Sequence, residues 1–193
     1  MKEDDIVGKV ILFDLDGTII DSTEAILESF EKAFQSFDVE VPSAEVIKSY
    51  IGLPLDTMFI NMGVVESEAM GYVQAYKEHY RTIHTQKTTL LPRAKEAIEL
   101  AHTYAKLGVV TTKTSVYSKE LLEHFGVMQY FDVLVGRDDV ENPKPHPEPV
   151  LKALDALEYR FGRVAYMVGD TSHDMLAAYE ADIGGIGVLC GYM

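Results

Sequence analysis

A chain of 193 residues, 47% apolar and 25% charged, has room for one ordinary domain, or for a core with a modest insertion, and for a substantial buried interior. The composition is that of a soluble globular protein, and no stretch approaches the roughly 18 consecutive apolar residues of a membrane span. A net charge of −14 excludes the broad basic face that nucleic acid or an anionic membrane requires. The single cysteine, Cys190, excludes an intrachain disulfide, and the start Met1 to Asp5 lacks the cationic and apolar run of a secretory signal, so a cytoplasmic protein is expected.

Lys9 to Phe13 (Lys-Val-Ile-Leu-Phe) is short, apolar and rich in β-formers, which predicts a buried strand. It ends at Asp14-Leu15-Asp16-Gly17-Thr18, where glycine permits a tight turn. From Asp21 the period changes: Ile26, Phe30, Ala33, Phe34 and Phe37 recur at helical spacing, with Asp21 and Glu24 as a capping pair. Pro42-Ser43 opens a short helix, Ile51-Gly52-Leu53-Pro54 breaks it, and Glu66 to His84 reads as a longer one. No strand-like run occurs between Ile20 and Thr89, which predicts an all-helical block.

After Pro92 helix and strand alternate. Helices are predicted at Arg93–Tyr104, Tyr117–Phe125, Pro147–Leu157 and Asp174–Ala181, and strands at Leu107–Val110, Phe131–Val135, Val164–Val168 and Ile186–Leu189. Such alternation implies right-handed crossovers and a mostly parallel, Rossmann-like sheet covered on both faces: a doubly wound α/β fold. Residues 1–19 and 89–193 then form the core, and 20–88 a helical insertion after its first strand.

In open α/β sheets, ligands bind beyond the carboxyl ends of the strands. The polar residues there are Asp14 and Asp16, Thr111 and Thr112, and Gly169-Asp170, with Lys144 on a loop after a further strand. Any one of these is an ordinary strand terminator or helix cap. Together, with two acids flanking a glycine turn, they point to a site. The long-range repulsion of a −14 chain means that an anion site must be local, built from a metal, a lysine and backbone N–H groups. His146, between two prolines, reads as a loop residue, His173 lacks the partners of a zinc site, and Gly184-Gly185-Ile186-Gly187 opens no helix and is no dinucleotide fingerprint.

Asp14-Leu15-Asp16-Gly17-Thr18 resembles the first motif of the haloacid dehalogenase superfamily, and Leu107-Gly108-Val109-Val110-Thr111 the second. Asn142-Pro143-Lys144-Pro145 resembles the third, and Gly169-Asp170-Thr171-Ser172-His173-Asp174 the fourth, all in family order from about Lys9 to Gly191. The family pattern continues past Gly191 with a further turn, strand and helix. The resemblance implies a phosphohydrolase with Asp14 as nucleophile, forming an aspartyl phosphate, and Asp16 as acid and then base. It implies Mg²⁺ held by Asp14, Asp170 and the backbone carbonyl of Asp16, with Asp174 beside the metal or its waters. Thr111 and Lys144 would bind the phosphoryl group, with Thr112 and Gly52 beside the substrate.

The same resemblance makes residues 20–88 a cap that closes over the substrate, a small phosphorylated metabolite, in a monomer or homodimer. Among capped members the chain is most similar to phosphoglycolate phosphatases. Val110-Thr111-Thr112-Lys113 and the Asp138-Asp139-Val140 to Lys144-Pro145 stretch resemble a bacterial pyrophosphatase branch, which stays open as an alternative. In the former branch Asn often stands where this chain has Thr112. The cap shows no evident cation cluster for a second phosphate, and Lys113 is expected to matter much less than Lys144. A phosphoacceptor module of the receiver kind also combines acids, Mg²⁺, Thr and Lys on an open sheet. Its acceptor would lie on a later strand than its acid pair, without an insertion after the first.

Overall fold

The computed structural model describes residues 8–160 and 163–191. The central sheet holds β1 (Lys9–Phe13), β4 (Lys106–Val110), β5 (Val133–Val135), β6 (Val164–Gly169) and β7 (Gly184–Gly187) in the order β5-β4-β1-β6-β7. Every pair in it is parallel. Parallel neighbours need crossovers, which the helices α5 (Ala94–His102), α6 (Ser115–His124), α7 (Glu148–Ala156) and α8 (Ser172–Glu180) supply. The two-residue period of the strands sorts their side chains between two cores. Phe13, Leu107 and Val109 pack on one face with Ile98 of α5 and Leu121 and Leu122 of α6. Val10, Leu12 and Met167 pack on the other with Val150 and Leu154 of α7 and Ala177 and Ala178 of α8.

Between β1 and the rest of the core lie α1 (Thr23–Gln35), α2 (Ala44–Lys48), α3 (Leu55–Asn61) and α4 (Glu66–Ile83). Their apolar stripes close on one another rather than on the sheet, around Phe30, Phe34, Phe59, Tyr72 and Tyr76. The ring centroid of Phe30 lies 4.7 Å from that of Phe59 and 4.9 Å from that of Tyr76. Each such pair adds roughly 0.5–1.5 kcal/mol beyond its buried area. The two chain crossings into this block are clamped by a short antiparallel ribbon, β2 (Ile20–Asp21) with β3 (Thr89–Leu90).

Several elements differ from the sequence expectation. Helix α3 was not expected: Pro54 opens it, Met58 and Phe59 are buried, and the segment is held by tertiary packing more than by its own periodicity. Asp21 does not pair with Glu24 but accepts hydrogen bonds from the Thr23 N–H (2.9 Å) and hydroxyl (2.5 Å), capping α1 locally. Strand β7 lies two residues earlier than the apolar pattern suggests, with Gly184 opposite Tyr166 and Ile186 opposite Val168. A Cβ at Gly184 would collide with the Tyr166 ring, so this glycine is what lets the strand approach β6. Among the described residues no helix is long and apolar enough to cross a membrane.

Candidate active site

The register of the sheet assembles the site. Phe13 is level with Val109 on one side and Val168 on the other, and the Asp14 N–H extends the ladder to the Val168 carbonyl at 2.8 Å. Asp14, Thr111 and Asp170, far apart in sequence, therefore leave three adjacent strands at one level. Gly17, at φ +82°, carries the chain away in a left-handed turn, and a Cβ there would strike the Asp170 carboxylate. Thr18 Oγ1 donates to Asp170 Oδ1 at 3.3 Å.

Lys144, only 4% exposed, reaches the same place from the loop before α7. Its ammonium donates to Asp14 Oδ1 at 2.7 Å, Asp174 Oδ1 at 2.6 Å and the Val110 carbonyl at 2.9 Å, which uses all three protons. Asp174 is fully buried, and its other oxygen accepts from the Thr171 N–H (3.0 Å) and hydroxyl (2.7 Å) as a capping box at the start of α8. Burial pushes the Asp14 carboxyl up to about 8; the Lys144 ammonium opposes this and the Asp174 carboxylate adds to it. Burial alone would lower the Lys144 ammonium, but the two carboxylates outweigh it and raise it to about 12.

Asp14, Asp170 and Asp174 each offer a carboxylate oxygen, all within 4.8 Å of one another. With all three ionised they would carry three negative charges against the one of Lys144, a balance that a divalent cation would favour by offsetting the remaining −2. Oxygen-only donors suit a hard ion of the Mg²⁺ type rather than zinc or copper. His173 and His146 are not part of this group; the latter accepts the Glu148 N–H within its loop (3.1 Å).

The carboxylate of Asp16 stands apart from the acid triad. Ser22, buried at the start of α1, donates its hydroxyl to Asp16 Oδ1, and Lys113 Nζ lies 3.3 Å from Asp16 Oδ2. Asp16 opens onto a cavity of about 250 Å³ between the helical block and the core. Its wall includes Gly52 and Leu53, Tyr76 and Tyr80 of α4, Thr112 and Lys113. Gly52 faces Thr171 across the gap. Lys113 donates to the Tyr80 hydroxyl at 2.9 Å and stands 4.6 Å from the centre of its ring. Burial first, and the Asp16 carboxylate second, hold that hydroxyl well above its ordinary value, so it stays neutral.

The structure thus gathers Asp14, Thr111, Lys144, Asp170 and Asp174 at the sheet edge, and places Asp16, Thr112 and Gly52 around the adjoining cavity. Sequence reasoning did not single out Ser22, Tyr80 or Thr171, whose residue types and local spacing are those of ordinary helix residues and caps. It ranked Lys113 below Lys144, though Lys113 touches Asp16. Of the cations on the wall of this cavity, the helical block supplies Lys77 of α4, and the core supplies Lys113 and Arg137. Helical phase alone does not reveal which lysine of a polar stripe turns inward.

A profile of the haloacid dehalogenase-like hydrolases matches residues 11–188, and the chain belongs to that family. It is 34% identical over 188 residues to "Probable phosphatase IndB" of Dickeya dadantii, covering 94% of this chain and 81% of that protein. It is 36% identical over 174 residues to "Pyrophosphatase PpaX" of Halalkalibacterium halodurans, covering 90% and 80%. Among solved structures, a haloacid dehalogenase-like family hydrolase from Streptococcus pneumoniae superposes with a TM-score of 0.85 at 26% identity, covering 96% of this chain and 87% of that one. A "predicted phosphoglycolate phosphatase" from Haemophilus somnus superposes with a TM-score of 0.87 at 25% identity, covering 96% and 87%.

Proposed function

We propose that the chain is a Mg²⁺-dependent phosphatase that hydrolyses a compact, small phosphate compound through an aspartyl phosphate on Asp14. The observation that carries this reading is the contrast between two acids two residues apart. Asp14 is buried against Lys144 beside two further carboxylates, while Asp16 is held by Ser22 and Lys113 facing the cavity. Carboxyls in such different surroundings divide the work of nucleophile and acid–base between them.

Asp14, Asp170 and the backbone carbonyl of Asp16 would hold the ion, which when bound offsets the repulsion between the Asp14 carboxylate and a phosphate dianion. Lys144 fixes Asp14 Oδ1, so the other oxygen attacks phosphorus as the bond to the leaving oxygen breaks. Asp16 gives its proton to that leaving oxygen. It then takes a proton from a water whose oxygen attacks phosphorus, breaking the Asp14–phosphorus linkage and freeing phosphate. Thr111 and the N–H groups after Asp14 bind the equatorial oxygens. Residues 20–88 act as the cap that excludes water from this sequence, with the hinge at the β2–β3 ribbon.

Two substrates suit a compact site. Inorganic pyrophosphate is placed first, on the 36% identity to a pyrophosphatase and on the Thr111-Thr112-Lys113 run, and 2-phosphoglycolate second, on the likeness to structures described as acting on it. The test is Mg²⁺-dependent phosphate release across a panel holding both, with nucleoside monophosphates and hexose phosphates. Release from a compact substrate that stops with EDTA and in Asp14→Asn is expected. Preference for a nucleotide would refute the compact-substrate reading, and metal-independent release would refute the mechanism.

A further inference from the structure

We infer that Lys113, held in place by Tyr80, is the specificity-determining residue of this site: it forms a subsite for a negative charge on the leaving group, separate from the Lys144 site that holds the transferred phosphoryl. This rests on the proposed function and names the substrate class within it, a phosphate ester or anhydride whose departing part is itself anionic.

Three observations carry it. First, the two lysines face different atoms. Lys144 is enclosed by Asp14, Asp174 and the Val110 carbonyl, at the nucleophile. Lys113 Nζ is 3.3 Å from Asp16 Oδ2, the group that protonates the leaving oxygen, so whatever is bonded to that oxygen lies within reach of Lys113. Second, Lys113 is not a loose surface lysine. Its side chain is 10% exposed, and the Tyr80 hydroxyl, itself buried and neutral, accepts from it at 2.9 Å. An ammonium on four rotatable carbons would otherwise lose much of its worth to disorder. Third, the charge of the cavity opposes that of the molecule. In a chain of net charge −14, the wall carries three cations, Lys77, Lys113 and Arg137, against two acids, Asp16 and Asp56, so an anion repelled at long range is welcome once inside.

The subsite is shared between the core, which supplies Lys113, and α4 of the helical block, which supplies Tyr80. Leaving-group charge is therefore read only when the block is seated on the core. Pyrophosphate and 2-phosphoglycolate both present an anion at this position, whereas ethyl phosphate presents none.

The test compares kcat/KM for pyrophosphate, 2-phosphoglycolate and ethyl phosphate in the natural chain, Lys113→Met, Lys113→Arg and Tyr80→Phe, each first confirmed folded by its melting curve. Lys113→Met should lose roughly 10- to 150-fold on the two anionic-leaving substrates, the worth of a charge-assisted hydrogen bond, and at least tenfold less on ethyl phosphate. Lys113→Arg should recover most of the difference, and Tyr80→Phe should raise KM for the anionic pair with kcat less affected. An equal loss on all three substrates would overturn the inference, because Lys113 would then serve only Asp16. If the natural chain releases phosphate from none of them, the proposed function fails on its own. The subsite is then judged by calorimetric titration of pyrophosphate with Mg²⁺ into the natural chain and Lys113→Met, where unchanged affinity refutes it and at least tenfold weaker binding supports it.

Discussion

At the scale of single residues, Asp14 and Asp174 look alike in sequence but stand in different balance. Asp14 adds a negative charge to a crowded, dry group, whereas Asp174 ties Lys144 to the start of α8 with both of its oxygens. Asp14→Asn should reduce turnover by several orders of magnitude while leaving the melting temperature in EDTA unchanged or raised, since it relieves buried like charge. Asp174→Asn places an amide N–H₂ against either an ammonium or the Thr171 donors. It should cost about 3 kcal/mol and lower the melting temperature by about 6–12 °C. Differential scanning calorimetry in EDTA distinguishes the two, and equal melting losses would refute the assignment. Asp16→Asn should slow turnover by roughly 10²–10⁴-fold with Mg²⁺ affinity nearly intact, because its carboxylate is held by Ser22 and Lys113 rather than by the acid triad. A large loss of Mg²⁺ affinity in that variant would make the side chain itself a ligand. Lys144→Ala should abolish binding of beryllofluoride with Mg²⁺, a mimic of the transferred group alone, far more than Lys113→Ala does.

At the scale of elements, the helix that follows β4 is capped from outside its own sequence. Thr114 makes no side-chain cap at the start of α6; instead Asp138, from the turn after β5, accepts from the Ser115 N–H at 2.7 Å and its hydroxyl at 3.1 Å. This fastens the loop carrying Thr111 to Lys113 against the neighbouring strand's exit. Burial alone would raise the Asp138 carboxyl, but the hydrogen bonds from Ser115 outweigh it and hold it below its ordinary 3.8. A depressed carboxylate contributes stability that is present above 3.8 and lost as the pH falls through the lower folded value. Asp138→Asn, which keeps the accepting oxygen but not its charge, should therefore lower the melting temperature at neutral pH by less than the roughly 2–4 °C a whole cap is worth, and the gap should close below pH 3.8. A gap that widens in acid would contradict this origin.

At the scale of the whole molecule, two interiors meet at an aromatic seam. Tyr117 of α6 packs its ring edge against Tyr80 and tilts against His84, each at 5.4 Å, joining the core to the end of α4 close to the β2–β3 ribbon. Its hydroxyl donates to the Lys77 carbonyl at 3.5 Å. Tyr117→Ala should cost about 1–3 kcal/mol, or about 2–12 °C, and raise KM for pyrophosphate, while Tyr117→Phe should stay within about 1 °C. A large loss in the phenylalanine variant would move the contribution from ring to hydroxyl.

The alternation of strand and helix after Pro92, the apolar run before Asp14 and the acids at strand ends were all legible in the chain itself, because burial imposes a period of 2 or 3.6 and strand ends impose polarity. The same local rules made the helical block readable up to Pro54 and again from Glu66, but missed α3 between them, whose seven residues are held by neighbours rather than by their own pattern. They also misplaced β7, because its first glycine, Gly184, serves the Tyr166 ring of another strand. Asp14, Lys144, Asp170 and Asp174 were recognisable by type and order, yet their division into one tight group with Asp16 outside it came from the sheet register. Which lysine stands against Asp16 was decided only in three dimensions. Lys113 and Tyr80 lie 33 residues apart, and no periodicity of either segment encodes the contact that makes a surface-like lysine part of the site.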